Sequence, residues 1–132
     1  MIKKPILCID FDGVIHSYTT GWAGSDKVND PPVPGAMEFL QKALALFDLK
    51  VYSSRSQSNK GIRAMREYIR EHACKELPPG ATVMMERWLD NPETWPVEKP
   101  SAFLTIDDRA LCFTGTWPDP VILLSFKPWN KK

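Results

Sequence analysis

The sequence predicts an α/β protein in which helices flank a central parallel sheet. Short apolar runs, typical of buried strands, alternate with longer segments whose apolar residues recur at helical spacing. Polar clusters directly follow several of the apolar runs. The chain has 132 residues, which is the length of one domain, and we expect a single domain over residues 1–132.

The individual elements are predicted from the same patterns. The strand predictions cover residues 6–11, 49–53, 81–85, 102–106 and 121–125. The helix predictions cover residues 35–47 and 59–73, with a short helical turn over residues 86–90. Between the first strand and the first helix, residues 16–34 form a long irregular segment rich in glycine and proline. Loops of this length inside a compact domain are usually functional, so we interpret residues 16–34 as a flap.

Composition and charge narrow the class of protein. The net charge of +1 weighs against a strongly basic nucleic-acid binder but leaves a local basic patch open. The three cysteines are widely spaced and form no CxxC pair, which favours reduced thiols over disulfides or a zinc site. The sequence shows no signal-peptide pattern and no apolar run of membrane-spanning length. We therefore expect a cytoplasmic protein.

Reactive side chains cluster at the ends of the predicted strands. Asp10 and Asp12 end the first strand, Ser53 to Arg55 end the second, and Asp107 with Asp108 end the fourth. In open α/β sheets, ligands bind outside the carboxyl ends of the strands, so these residues are expected to share one site. Lys99, shortly before the fourth strand, is close enough in sequence to reach the same edge.

The expected site carries an excess of negative charge. Its four carboxylates belong to Asp10, Asp12, Asp107 and Asp108. Like charges in one cleft repel unless a cation neutralises them, and Mg²⁺ with oxygen ligands is the usual solution beside phosphate. The nearby lysine, hydroxyl and arginine suit phosphate oxygens. The residues themselves thus predict a magnesium-dependent phosphate site.

The same residues resemble the four ordered motifs of the haloacid dehalogenase (HAD) superfamily of phosphohydrolases. The first motif is DxDG at Asp10 to Gly13, and the second is the hydroxyl residue Ser53. The third is Lys99, and the fourth is the acidic pair Asp107-Asp108, unusually close to that lysine. The resemblance spans most of the chain and implies a three-layer, Rossmann-like fold with a central parallel sheet.

The resemblance also implies roles. Asp10 would be the nucleophile that accepts the phosphoryl group, and Asp12 the general acid and base. Ser53 and Lys99 would bind and neutralise the transferring phosphate. Mg²⁺ would be held by the carboxylates of Asp10, Asp107 and Asp108, the last directly or through water, and by Asp12 through its backbone carbonyl. The short gaps between motifs resemble the minimal-cap members, in which the flap would cover the site.

The expected partner is a small phosphorylated substrate, with nucleotides among the candidates. Its contacts are predicted at Ser54, Arg55, His16 and Arg109. Two alternatives remain open: a phosphatase for nucleic-acid ends or phosphoproteins, and a non-catalytic phosphate-binding protein. An enzyme this short must build its pocket from loops or borrow a wall from another subunit, so a homodimer is also a candidate.

Overall fold

The structure, a computed structural model, describes residues 3–131 and contains a three-stranded parallel sheet and four α-helices. In chain order the elements are β1 (Ile6–Ile9), α1 (Ala36–Leu46), β2 (Asp48–Val51), α2 (Asn59–Glu76), α3 (Thr82–Asp90), β3 (Leu104–Ile106) and α4 (Pro120–Leu123). The α/β class and the parallel sheet predicted from the sequence are therefore confirmed. Of the helices in residues 3–131, none has both the length and the apolarity needed to cross a membrane.

The strand order is β2-β1-β3, so the first strand lies in the centre. Ile9 pairs with Val51 of β2 on one side and with Ile106 of β3 on the other. The chain therefore leaves β1 in one direction and later returns to its opposite side. This reversal creates a switch point between the carboxyl ends of β1 and β3, which is where ligands bind in open parallel sheets.

One face of the sheet joins the helices in a common core. Leu7 and Ile9 of β1 and Leu49 and Val51 of β2 alternate along their strands, and all four are buried on this face. The helical side chains of the same cluster are Met37, Leu40, Ala43 and Leu44 of α1, Met65, Tyr68, Ile69 and Ala73 of α2, and Met85, Trp88 and Leu89 of α3. Packing in this core fixes the positions of the strands, and with them the positions of their carboxyl ends.

Two of the helices begin and end close to their predicted bounds. At the start of α1, Gly35 has φ +85°, a left-handed conformation that glycine adopts without a Cβ clash. At the start of α2, the Ser58 side chain accepts a hydrogen bond from the Gly61 backbone N–H, which is a standard N-cap. The predictions for residues 35–47 and 59–73 are thus confirmed within three residues.

The strand prediction for residues 81–85 was wrong, because this segment begins α3. The apolar and β-branched side chains of Ala81 to Met85 resemble a strand when taken alone. The longer pattern is helical: Met85, Trp88 and Leu89 are the buried residues, at spacings of three and four. Burial of these three side chains against α1 and α2 decides the conformation of the whole segment.

The strand prediction for residues 121–125 was also wrong. Asp119 accepts a hydrogen bond from the Val121 N–H at 3.0 Å, and Pro120 occupies the first helical position. An Asp followed by Pro is a strong helix start, since proline's missing N–H would be unpaired there anyway. The segment therefore forms α4, although its aliphatic residues favour a strand by composition.

We expect Gly61→Ala to destabilise the fold by about 1–3 kcal/mol. A Cβ at position 61 would collide with the carbonyl oxygen of Arg55, so α2 or the 3₁₀ helix Ser54–Gln57 would have to shift. Gly80→Ala is the matched control, because a Cβ there has nothing within 4 Å. Thermal melts of both variants measure the difference. Equal melting temperatures would show that α2 is not seated against Arg55 in this way.

Candidate active site

A cleft of about 380 Å³ opens at the carboxyl ends of the three strands. Seven of the residues predicted from the sequence line it: Asp10, Asp12, Ser53, Ser54, Asp107, Asp108 and Arg109. Two tyrosines, Tyr18 and Tyr52, complete the wall. Tyr18 belongs to the predicted flap, whereas Tyr52 was missed. The signal for Tyr52 was its position directly before Ser53, at the end of a strand that leads into the cleft.

Three carboxylates converge at the switch point between β1 and β3. Asp10, Asp107 and Asp108 each place one oxygen within 4.8 Å of the other two. The Asp108 Oδ1 atom is buried without a hydrogen-bond partner among the described residues. An orphaned carboxylate oxygen in an all-oxygen cluster is a costly arrangement that a hard cation such as Mg²⁺ would relieve. The residues present therefore fit a divalent cation.

Burial and neighbouring charge act together on Asp10. Burial raises the pKa of its carboxyl from the ordinary 3.8 to about 8, and the charges of Asp107 and Asp108 push in the same direction. A hydrogen bond of 2.8 Å from the Phe11 backbone N–H opposes this in part. Without a cation, Asp10 is therefore protonated at neutral pH. A cation at the cluster would favour the ionised carboxylate.

Glycine at position 13 is what allows Asp108 to come so close. Gly13 has φ +83°, and a Cβ on this residue would collide with the Asp108 carboxylate. The turn after β1 is tight, because the Phe11 carbonyl accepts backbone hydrogen bonds from both Ile15 and His16 at 2.9 Å. The DxDG motif thus has a structural reason for its glycine in this chain.

The second aspartate of that motif is held by two cationic or polar side chains. Arg55 Nε donates to Asp12 Oδ2 at 2.9 Å, and His16 Nδ1 lies 2.8 Å from Asp12 Oδ1. Burial alone would raise the pKa of Asp12, but these hydrogen bonds outweigh it and leave the pKa below its ordinary value. Asp12 is therefore ionised and fixed in orientation at neutral pH.

The protonation of His16 can be assigned from its other nitrogen. The Asp30 backbone N–H donates to His16 Nε2 at 3.1 Å, so Nε2 is the unprotonated nitrogen of a neutral ring. The proton is then on Nδ1, which donates to Asp12. His16 is only 1% exposed and packs between Phe11 and Tyr68.

The serine predicted for phosphate binding also organises the local backbone. Ser53 caps the 3₁₀ helix Ser54–Gln57: its Oγ accepts from the Arg55 N–H at 2.9 Å. The Ser53 hydroxyl proton points to the Met65 sulfur at 3.5 Å, which is a weak acceptor. The hydroxyl therefore has a proton that a stronger acceptor, such as a phosphate oxygen, could attract.

Three predicted site residues do not line the cleft. His16 and Arg55 are buried and contact Asp12 from behind, and Arg55 Nη1 also donates to the Ser25 carbonyl at 2.8 Å. Lys99 is exposed and forms neither a hydrogen bond nor an ion pair within residues 3–131. Burial raises the pKa of the Cys8 thiol, and the Lys99 charge counteracts this in part.

Asp10→Asn is expected to be more stable than the wild type in EDTA at pH 8, by roughly 1–3 kcal/mol. The stability that goes with a raised carboxyl pKa is fully present below about pH 4 and is lost progressively as the pH rises from there through about 8. Asparagine carries no charge and avoids that loss. The melting temperatures of the two proteins should diverge between pH 4 and pH 8.

Asp26→Asn, at an exposed aspartate outside the cleft, is the control for this comparison. Its melting temperature should stay close to that of the wild type, because the side chain is exposed and lies outside the cleft. If Asp10→Asn were the less stable protein at pH 8, the Asp10 carboxyl would not be desolvated as the structure describes.

Comparisons with protein-family models, with curated proteins and with solved structures found no match to this chain. The resemblance to the HAD superfamily therefore rests on the motif residues of this chain alone.

Proposed function

We propose that this protein is a Mg²⁺-dependent phosphatase that hydrolyses phosphomonoesters through an aspartyl-phosphate on Asp10. One observation carries the proposal: Asp10, Asp107 and Asp108 converge at the switch point of a parallel sheet, with Asp12 and Ser53 on the wall of the same cleft. We further propose that the chain is a single domain with the three-layer HAD-like architecture.

Asp10 suits the role of nucleophile because its carboxylate lies at the base of an open cleft. Attack of an Asp10 oxygen on phosphorus would break the bond to the leaving alkoxide and form a mixed anhydride, dividing the reaction into two easier steps. Water would then cleave the anhydride and release inorganic phosphate, which regenerates Asp10. In its protonated form Asp10 is a poor nucleophile, so the reaction requires the charge of the cluster to be balanced.

Asp10, Asp107 and Asp108 are the side chains that would hold Mg²⁺, with the Asp12 backbone carbonyl as a further oxygen ligand. When bound, the cation would neutralise the carboxylates and the charge that develops on the phosphoryl oxygens. The Asp12 carboxylate is already engaged by Arg55 and His16, which leaves its backbone as the group free for this purpose.

Asp12 suits general acid–base chemistry because its carboxylate is held in one orientation at the cleft wall. It would donate a proton to the leaving oxygen in the first step and accept one from water in the second. The low pKa favours the second role directly. For the first role Asp12 must gain a proton, which the approach of a phosphate dianion would promote by raising its pKa.

The residues of the cleft wall suit a small phosphorylated substrate. Ser53, Ser54 and Arg109 offer donors to phosphate oxygens, and Tyr18 and Tyr52 offer flat apolar surface for the rest of the molecule. A nucleotide would use both kinds of contact. The cleft is also open to solvent, and this openness is the observation that favours larger substrates such as nucleic-acid ends or phosphopeptides.

Hydrolysis of p-nitrophenyl phosphate tests the reaction class. We expect wild-type turnover that requires Mg²⁺ and stops in EDTA, and a loss of about 1,000-fold or more in Asp10→Asn. Asp26→Asn should retain full activity. Borohydride reduction during turnover should convert an acyl phosphate to an alcohol, and peptide mass spectrometry would locate that alcohol at position 10.

The result of this experiment separates the alternatives. A folded wild type that binds Mg²⁺ and inorganic phosphate without turnover of any phosphomonoester would identify the non-catalytic binding protein. If activity is found, relative kcat/KM values for nucleoside monophosphates, sugar phosphates, phosphopeptides and 3′-phosphorylated oligonucleotides would identify the substrate class. Turnover that survives in Asp10→Asn would contradict the assignment of Asp10 as the nucleophile.

His16→Phe should lower kcat by about 10–100-fold, because it keeps an aromatic ring but removes the proton donor to Asp12. Asparagine can place an N–H near the position of Nδ1, so His16→Asn should retain more activity. Loss of the donor also raises the pKa of Asp12, which should move the acidic limb of the pH–rate profile to higher pH. An unchanged profile in a folded His16→Phe variant would argue that His16 only fills space.

A further inference from the structure

Residues 110–127, here called the arm, expose an unusual amount of apolar surface. Eight large apolar side chains in the arm are between 47% and 88% exposed, among them Leu111, Trp117, Ile122 and Leu124. The arm carries only two charged residues, Asp119 and Lys127. Isolated apolar residues are normal on a protein surface, but a continuous run of this kind marks an interaction site.

Both ends of the arm are held on the rest of the chain. Before it, β3 pairs with β1 as far as Ile106, which lies opposite Ile9. After it, Trp129 Nε1 donates to the Gly13 carbonyl at 2.7 Å and Asn130 Nδ2 donates to the Ser17 carbonyl at 2.9 Å. The arm is therefore a tethered excursion whose apolar side chains are left without cover on their own protomer.

The same molecule carries an apolar groove that has no occupant among the described residues. Ile9, Val14, Val33, Phe39 and Ile106 line it, with a volume of about 230 Å³ and no charged side chain in the wall. It lies on the helix-bearing face of the sheet, beside β3. A parallel sheet is normally covered on both faces along its whole width, so this opening is a gap in the cover.

We propose that two copies of this chain form a dimer in which the arm of each copy packs across the groove of the other and inserts an apolar side chain into it. The two surfaces match in chemistry, since both are apolar and nearly free of charge. A two-fold axis makes the contact twice, which closes the assembly.

The exposed apolar area of the arm is large enough for such a dimer. A fully buried aromatic side chain covers about 150–250 Å² and an aliphatic one somewhat less, so the three aromatic and five aliphatic side chains, exposed by roughly half to nine-tenths, present on the order of 1,000 Å². A stable interface takes about 800 Å² from each partner. The largest apolar patch on a typical monomer is about 300–600 Å². The exposed apolar area of the arm therefore reaches the area that a stable interface takes from one partner. It also exceeds the largest apolar patch of a typical monomer.

Light scattering after size-exclusion chromatography, over a range of concentrations, tests the proposal on the full chain. The wild type should have twice the mass of the monomer. Leu124→Glu in the arm and Phe39→Glu in the groove should each weaken dimerisation by at least about tenfold. Leu46→Glu is the matched control for Phe39→Glu, because it lies on the same helix, is 66% exposed and is absent from the groove wall. It should leave the dimer intact.

Mixing the two variants distinguishes exchange of arms from other dimers. The Leu124→Glu protein has an intact groove and the Phe39→Glu protein an intact arm, so an equimolar mixture should recover one of the two contacts and form a heterodimer. Recovery also shows that neither variant has misfolded. A monomeric wild type at all concentrations would overturn the proposal, as would a Phe39→Glu protein that dimerises as tightly as the wild type, since that would place arm against arm.

Discussion

The mutual repulsion of Asp10, Asp107 and Asp108 is the constraint around which the site is arranged. Parallel strands bring these carboxylates to one edge because β1 and β3 are neighbours in register. Burial then raises the free energy of their charged forms. Basic side chains relieve this only in part, since the buried Arg55 is committed to Asp12 and the charge of Arg109 leaves the pKa of Asp108 above its ordinary value. The cluster is thus left electrostatically unsatisfied, which is what the proposed cation site requires.

Asp10 and Asp12 are two residues apart, yet their environments move their pKa values in opposite directions. Asp10 faces other acids, whereas Asp12 faces a guanidinium and an imidazole N–H. The chain turns directly after Asp10, where the Phe11 carbonyl accepts backbone hydrogen bonds from Ile15 and His16, and this turn separates the two environments. Opposite shifts in neighbouring carboxyls are a frequent feature of sites in which one group attacks and the other transfers protons. In the proposed mechanism, the buried partners of Asp12 therefore matter as much as the cleft wall.

The sequence was sufficient to predict the sheet class, the two long helices and seven residues of the cleft wall, because local patterns determine each of them. It failed where long-range packing decides the outcome. The segment that begins α3 is a strand by composition and a helix by the burial of Met85 and Trp88. The contacts that His16 and Arg55 make with Asp12 were missed for a similar reason. Nothing in the local sequence indicates that His16 is buried or that Arg55 points away from the cleft.

The arm shows the same principle at the level of the whole molecule. Its apolar residues predict a buried element, and the strand assigned to residues 121–125 followed from that expectation. On one protomer Asp119 and Pro120 instead start a short helix whose side chains stay exposed. Local sequence signals determine the conformation of the arm, but they do not bury its apolar side chains. Apolar side chains that stay exposed to water lower the solubility of a protein. In the proposed dimer, the partner's groove would bury part of the apolar surface that led to the strand prediction. In the proposed dimer, the apolar composition of the arm and its exposure on a single copy are consistent with each other.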